Sequence, residues 1–216
     1  MSMFEMFLGL QQAWLEEQRR ALDRLARLQS VFEQERAMFC SRAEPPASTK
    51  VGTTPSDVVF TRGSLRLLRY RRTEPARYAQ PLLLCYALVN RPYILDLQPT
   101  KSVVAHYLAQ GFDVYLMDWG IPTDEDRGLN LEHYVCDLLQ ETVSFVLKAH
   151  GQTRLHVLGY CMGGTLATMF AALYQDRIAS LTLLASPVDF SGRDNLINIW
   201  ADRENFDVDA FVDTHG

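Results

Sequence analysis

The sequence predicts an α/β protein built on a mostly parallel sheet. Short apolar runs alternate with helix-like stretches from residue 55 to residue 184. Strands spaced in this way pair in parallel and need helices on both faces. One run, Leu155-His156-Val157-Leu158, leads through Gly159-Tyr160-Cys161-Met162-Gly163-Gly164 into residues 165–173, which favour a helix and contain no Pro or Gly. A strand, a tight glycine turn and a helix, in that order, form the setting of a nucleophile elbow.

The elements follow in chain order. Over residues 8–39, Trp14, Ala21, Leu25, Leu28, Phe32 and Phe39 recur at helical spacing, and charged residues such as Glu16, Arg20 and Arg27 fill the other face. Residues 1–42 are therefore read as an N-terminal amphipathic helix, suited to packing, helical pairing or a lipid or polymer surface. Pro45-Pro46 and small polar residues mark residues 43–54 as a linker. Residues 55–216 form the main domain. It opens with an antiparallel pair, 58–60 and 65–70, around the Arg62-Gly63 turn. Residues 82–86 read as a buried strand, 101–110 as a helix stopped by Gly111, and 113–117 as a strand ending at Asp118-Trp119-Gly120. A long helix spans 131–150 and stops at Gly151. The elbow strand and its helix follow. A sixth strand, 181–184, is closed by Ser186-Pro187.

Composition excludes several classes. A net charge of −5 argues against a nucleic-acid binder. No apolar run reaches the length of a membrane span, and the first residues lack the basic region of a signal peptide. The four cysteines show no metal-type spacing, so no metal site is expected. Cys85 and Cys136 read as small buried hydrophobes, and a reducing cytoplasm fits this usage. The arginines 66, 69, 71, 72 and 77 fit either an anionic ligand, such as coenzyme A phosphates, or a solvated strand edge.

Cys161 stands where an elbow carries its nucleophile. Gly159, Gly163 and Gly164 remove side chains that would clash with the strained turn. The helix N-terminus favours the thiolate, and the N–H of Met162 points at the oxyanion formed on attack. The second oxyanion donor is expected from the loop after the third strand, at the N–H of Val89. A packing turn around a buried cysteine is the plainer alternative. A cysteine nucleophile needs a histidine base held by a carboxylate, and in an α/β-hydrolase fold these follow the nucleophile in the chain. His106 and His133 precede it on helices and read as surface residues. His150 sits at a helix end, where cations are favoured. His156 lies at the core inside the elbow strand, directed away from the loop. His215 is the penultimate residue. Asp189 is placed to line the rim, or to serve as a turn residue. The chain thus offers a nucleophile without a convincing base.

Four motifs, Tyr86-Ala87-Leu88-Val89-Asn90-Arg91-Pro92-Tyr93-Ile94-Leu95-Asp96-Leu97, Asp113-Val114-Tyr115-Leu116-Met117-Asp118-Trp119-Gly120, Gly159–Gly164 and Ser186-Pro187-Val188-Asp189-Phe190, resemble those of polyhydroxyalkanoate (poly-3-hydroxybutyrate) synthases. The likeness is to the catalytic subunit of the two-subunit type. It implies an α/β-hydrolase fold, here incomplete, with the last strands missing and the chain ending at the start of a cap. It further implies an acyltransferase that polymerises 3-hydroxyacyl-coenzyme A through a Cys161 thioester. No separate cofactor is implied, because coenzyme A is part of the substrate. The implied partners are the growing polyester chain, the granule surface, and a second synthase subunit or a second copy, all in the cytoplasm. The family's catalytic Asp and His have no counterpart in this chain. Two other readings stay open: a thioesterase of the same fold, and a non-catalytic granule- or partner-binding relic.

Overall fold

In the computed structural model, Arg19, residues 50–191 and residues 206–210 are described. The predicted helix over 8–39, apart from Arg19, the linker up to residue 49, and His215 lie outside these residues. The chain divides into Met1–Thr49 and Lys50–Gly216, and the architecture below belongs to the second unit.

β1 (Ser56–Arg62) and β2 (Leu65–Tyr70) form an antiparallel hairpin in which Arg62 faces Leu65. Gly63 turns the chain at φ 56°. Along β2, Leu65 and Leu67 are buried on one face and Tyr70 on the other, while Arg66 and Arg69 are exposed. β3 (Leu82–Cys85) is buried throughout. A 3-10 turn (Pro92–Leu95) then leads to a two-stranded ribbon, β4 (Asp96–Gln98) and β5 (Lys101–Ser102), apart from the main sheet. The predicted helix at 101–110 begins two residues later than expected. Ser102 caps α1 (Val103–Gln110) by accepting from Ala105 N–H at 2.9 Å. The chain leaves α1 through left-handed Gly111 (φ 94°).

β6 (Val114–Asp118) is wholly buried. The long helix that follows contains a π-helical segment, His133–Leu139, before α2 (Gln140–His150). β7 (Leu155–Tyr160) runs into α3 (Met162–Leu173), and β8 (Ile178–Leu184) begins earlier than the predicted sixth strand. Strand order is β1-β2-β6-β3-β7-β8, with β6, β3, β7 and β8 parallel. This is an α/β-hydrolase arrangement with a mostly parallel sheet. β8 occupies one edge, where Leu183, Leu184, Val188 and Phe190 are exposed.

Crossovers between parallel strands are right-handed. The step from β3 to β6 runs one way, and those from β6 to β7 and β7 to β8 run the other, so α1 lies on one face and α2 and α3 on the opposite face. β3 therefore exits toward one face while both its neighbours exit toward the other. Crevices open at the carboxyl ends on both sides of β3, where open α/β sheets bind ligands. The core joins the buried leucines of β3 and β6 to Val143, Val146, Leu166 and Phe170 of the helices. Each such side chain contributes about 1.5–3 kcal/mol.

The amino end of the sheet is closed by charge pairing. Asp113, buried just before β6, accepts from Arg69 Nη2 at 2.7 Å and from Nε at 3.2 Å, with Arg72 and His150 at 3.5 Å. Among the described residues, no helix is long and apolar enough to cross a membrane.

Candidate active site

Cys161 joins β7 to α3 with φ 52° and ψ −130°. A residue with a Cβ avoids this region, and holding it there costs of order 1–3 kcal/mol. The surroundings enforce it. Cys161 N–H donates to Leu184 C=O, and Gly164 N–H donates to Cys161 C=O, both at 2.9 Å. A Cβ on Gly159 would overlap the backbone of Gly164. On Gly163 it would overlap the backbone of Cys85 and Tyr86, and on Gly164 the side chain of Ser186. The turn is thus closely packed at all three glycines, against backbone at two of them and the Ser186 side chain at the third. Ser186 Oγ bonds Gly159 C=O at 3.1 Å, and Thr165 Oγ1 donates to Pro187 C=O at 2.6 Å, tying the loop after β8 to the elbow.

Met162 is the first residue of α3, so its N–H belongs to the set that a helix leaves unpaired at its start. Val89 lies in the turn after β3 and is 82% exposed, with Asn90 N–H donating to Ala87 C=O at 3.3 Å. The contact of Gly163 with Cys85 and Tyr86 sets the root of that turn against the first turn of α3. That contact brings the base of the Val89 loop to the helix start that carries Cys161 and Met162.

Sequence reasoning missed the polar cluster beneath this edge. Asp118, buried at the end of β6, accepts from Gly120 N–H at 3.0 Å and from Arg66 Nε at 3.0 Å, with Arg66 Nη2 also in contact. Tyr86 OH reaches Asp118 at 3.4 Å, and Trp119 Nε1–H donates to Tyr86 C=O at 2.8 Å. Burial, and then the charge of Asp118, push the Tyr86 phenol far above its ordinary value, so it stays a donor. These bonds hold the loops after β3 and β6 together. The only signal in the sequence was the adjacency of Asp118, Trp119 and Gly120 at a strand end. Burial pushes the Cys85 thiol up to about 12, which keeps it inert at neutral pH.

None of the four described histidines contacts Cys161. His106 is exposed on α1. His133, half-buried rather than a plain surface residue, pairs with Asn130 Oδ1 at 2.8 Å. His150 departs from the expected helix-end cation. It accepts or donates to Tyr115 OH at 2.9 Å, and burial outweighs the pull of Asp113 and lowers its pKa. His156 is half-buried rather than in the core, with Nδ1 2.7 Å from Ser180 Oγ. Asp189 is exposed and accepts from Ser191 N–H at 2.9 Å, the geometry of a turn residue. That bond lowers its pKa. The arginines near β2 are largely engaged: Arg66 with Asp118, Arg69 and Arg72 with Asp113, and Arg71 with Asp57. This favours the strand-edge reading of that run. Among the described residues, no group of three or more His, Cys, Asp or Glu side chains is arranged to hold a metal.

Comparison with known proteins agrees with this fold. Residues 80–214, more than half of the chain, match the family described as alpha/beta hydrolase fold. Residues 46–107 match the family described as poly-beta-hydroxybutyrate polymerase (PhaC) N-terminus. The poly(3-hydroxyalkanoate) polymerase subunit PhaC of Haloferax mediterranei is 43% identical over 175 residues, covering 81% of this chain and 36% of the relative. The subunit of the same name from Allochromatium vinosum is 42% identical over 167 residues, covering 76% and 46% respectively. The chain thus spans between about a third and a half of the length of these relatives. Among solved structures, a membrane phospholipase A described as a bacterial virulence factor shares the fold at TM-score 0.50 and 20% identity, covering 70% of this chain and 46% of that one.

Proposed function

Because the chain belongs to the alpha/beta hydrolase family, and within it lies among the relatives of poly(3-hydroxyalkanoate) polymerase subunits, we propose that it carries the nucleophile of a polyester-forming acyltransferase. The observation that supports this most is Cys161 held at positive φ between a strand and a helix N-terminus by glycines that tolerate no side chain. In this reading the Cys161 thiolate attacks the carbonyl carbon of a 3-hydroxyacyl-coenzyme A thioester. The carbonyl electron pair moves to oxygen, where the N–H groups of Met162 and Val89 hold it. Collapse breaks the bond to sulfur of coenzyme A. That sulfur leaves as a thiolate and takes up the proton that Cys161 gave up. One thioester replaces another, so the step is close to isoenergetic. The 3-hydroxyl of a second acyl unit then attacks the acyl-cysteine, forming an ester and releasing Cys161.

That second step needs a base. No described histidine is placed for it, and we take the catalytic Asp and His to lie in the part of the relatives' length that this chain does not match. The same reading puts the protein in the cytoplasm at a polyester granule, with a second synthase subunit or a second copy as partner.

Release of coenzyme A from 3-hydroxybutyryl-coenzyme A tests the assignment. The parent chain should release a burst of about one equivalent, and Cys161→Ala none. Continuous turnover to free 3-hydroxybutyrate would make the chain a thioesterase instead. Equal release by both proteins would remove Cys161 from the chemistry.

A further inference from the structure

The crevice on the other side of β3 holds a second feature. An open groove of about 520 Å3 lies between the loops after β3 and β6, lined by Ser64, Arg66, Arg91, Tyr93, Asp118 and Ile121. Its charges are uneven. Arg66 is held by Asp118 yet keeps 55% of its side chain exposed. Arg91 is exposed and has no carboxylate partner among the described residues, in a protein whose net charge is −5. The two arginines and the one aspartate leave the groove with one net positive charge. Its field reaches inward, since Arg91 pulls against the rise in the Tyr86 phenol.

The backbone that presents Arg91 is anchored. Ile94 N–H donates to Arg91 C=O at 3.0 Å, and the turn ends in buried Leu95. Apolar surface flanks the cation: Tyr93 is 42% exposed and Ile121 68% exposed. An exposed guanidinium on an anchored turn, beside a partly exposed aromatic and an aliphatic side chain, suits a ligand that joins phosphate to a planar base. The position is right for a long ligand. β6 and β7 flank β3, so the groove and Cys161 lie two strand spacings apart, ~10 Å.

We propose that this groove receives the phosphate-bearing nucleotide end of the acyl carrier, with Arg91 paired to phosphate and the base against Tyr93 or Ile121, while the thioester reaches Cys161 in the neighbouring crevice. The proposal rests on the acyltransferase reading and names the contact by which that site takes a coenzyme A thioester. Arg91 would then set preference for the full carrier over a truncated thiol.

Direct binding to the 216-residue chain tests this without any chemistry at Cys161. Titration with coenzyme A should show affinity that falls with salt. Arg91→Ala should weaken it about tenfold, Arg91→Lys should recover part of the loss, and binding of pantetheine, which lacks phosphate, should not change. Coenzyme A binding indifferent to Arg91, equal losses for both ligands, or no coenzyme A binding by the parent chain would overturn the proposal. Binding that depends on Arg91 with no acylation of Cys161 would count against the acyltransferase reading and leave the groove standing. Acylation with binding indifferent to Arg91 would do the reverse.

Discussion

Strand β6 has a buried aspartate at each end, Asp113 just before it and Asp118 as its last residue, and each is held by an arginine of β2. The two ends nevertheless do different work. At the amino end Asp113 gathers Arg69, Arg72 and His150, and its partners are side chains of the scaffold. At the carboxyl end Asp118 binds the backbone of Gly120 and reaches Tyr86, whose carbonyl takes the Trp119 indole. The first network closes the sheet. The second fixes loops beside the elbow. The same ion-pair chemistry closes the scaffold at one end and holds loops of the candidate site at the other, and the difference lies in whether loop backbone is among the partners.

Glycine substitution should show the contrast at its largest. Gly163 has the backbone of Cys85 and Tyr86 where a Cβ would go, so Gly163→Ala should lower stability by about 3 kcal/mol and stop acylation of Cys161. Gly151, which closes α2 at φ 60°, has no neighbour within 4 Å of that position, and Gly151→Ala should cost only about 1 kcal/mol and leave acylation intact. Urea unfolding and single-turnover acylation measure both. Equal costs would mean that the elbow is looser than its packing indicates.

The aspartates come next. Asp113→Asn and Asp118→Asn should each cost about 1–3 kcal/mol, and only Asp118→Asn should slow the reaction of Cys161 with a thioester. A matching slowdown from Asp113→Asn would erase the distinction between the two ends.

Much of this scaffold was legible in the sequence, for a physical reason. β3 and β6 are buried on both faces and β7 is buried apart from His156 and Tyr160, so their residues form largely apolar runs. The start of β8 was missed because Ile178, Ala179 and Ser180 sit at a sheet edge and make no such run. The ribbon at residues 96–102 is short and polar, without periodicity. The π-helical segment changes hydrogen-bond register and leaves composition untouched. The elbow could be read because its parts are adjacent in the chain. The Tyr86–Asp118–Arg66 cluster and the groove at Arg91 could not. They depend on which arginine meets which carboxylate across 52 residues, and that pairing exists only after the strands are registered.

Smaller effects sharpen the picture of the amino end. His150 is held below its ordinary value of 6.5, with burial as the main cause. Its neutral form is therefore the folded form, and the unfolded chain binds the extra proton as pH falls through about 6.5. Stability should be full above that pH and decline below it. His150→Gln should flatten this part of the profile, measured by thermal melting from pH 7.5 to 5. An unchanged slope would exclude His150 as its source. Smallest of all, Cys85 should stay unmodified by iodoacetamide at pH 8 until the protein is unfolded.

Intact-mass spectrometry after brief exposure to 3-hydroxybutyryl-coenzyme A, beside a Cys161→Ala control, tests the central claim most directly. The account predicts a single hydroxybutyryl adduct on the parent chain, mapped to the peptide that contains Cys161, and none on the variant. A folded parent chain that takes up no adduct, or a variant that takes up the same one, would contradict it.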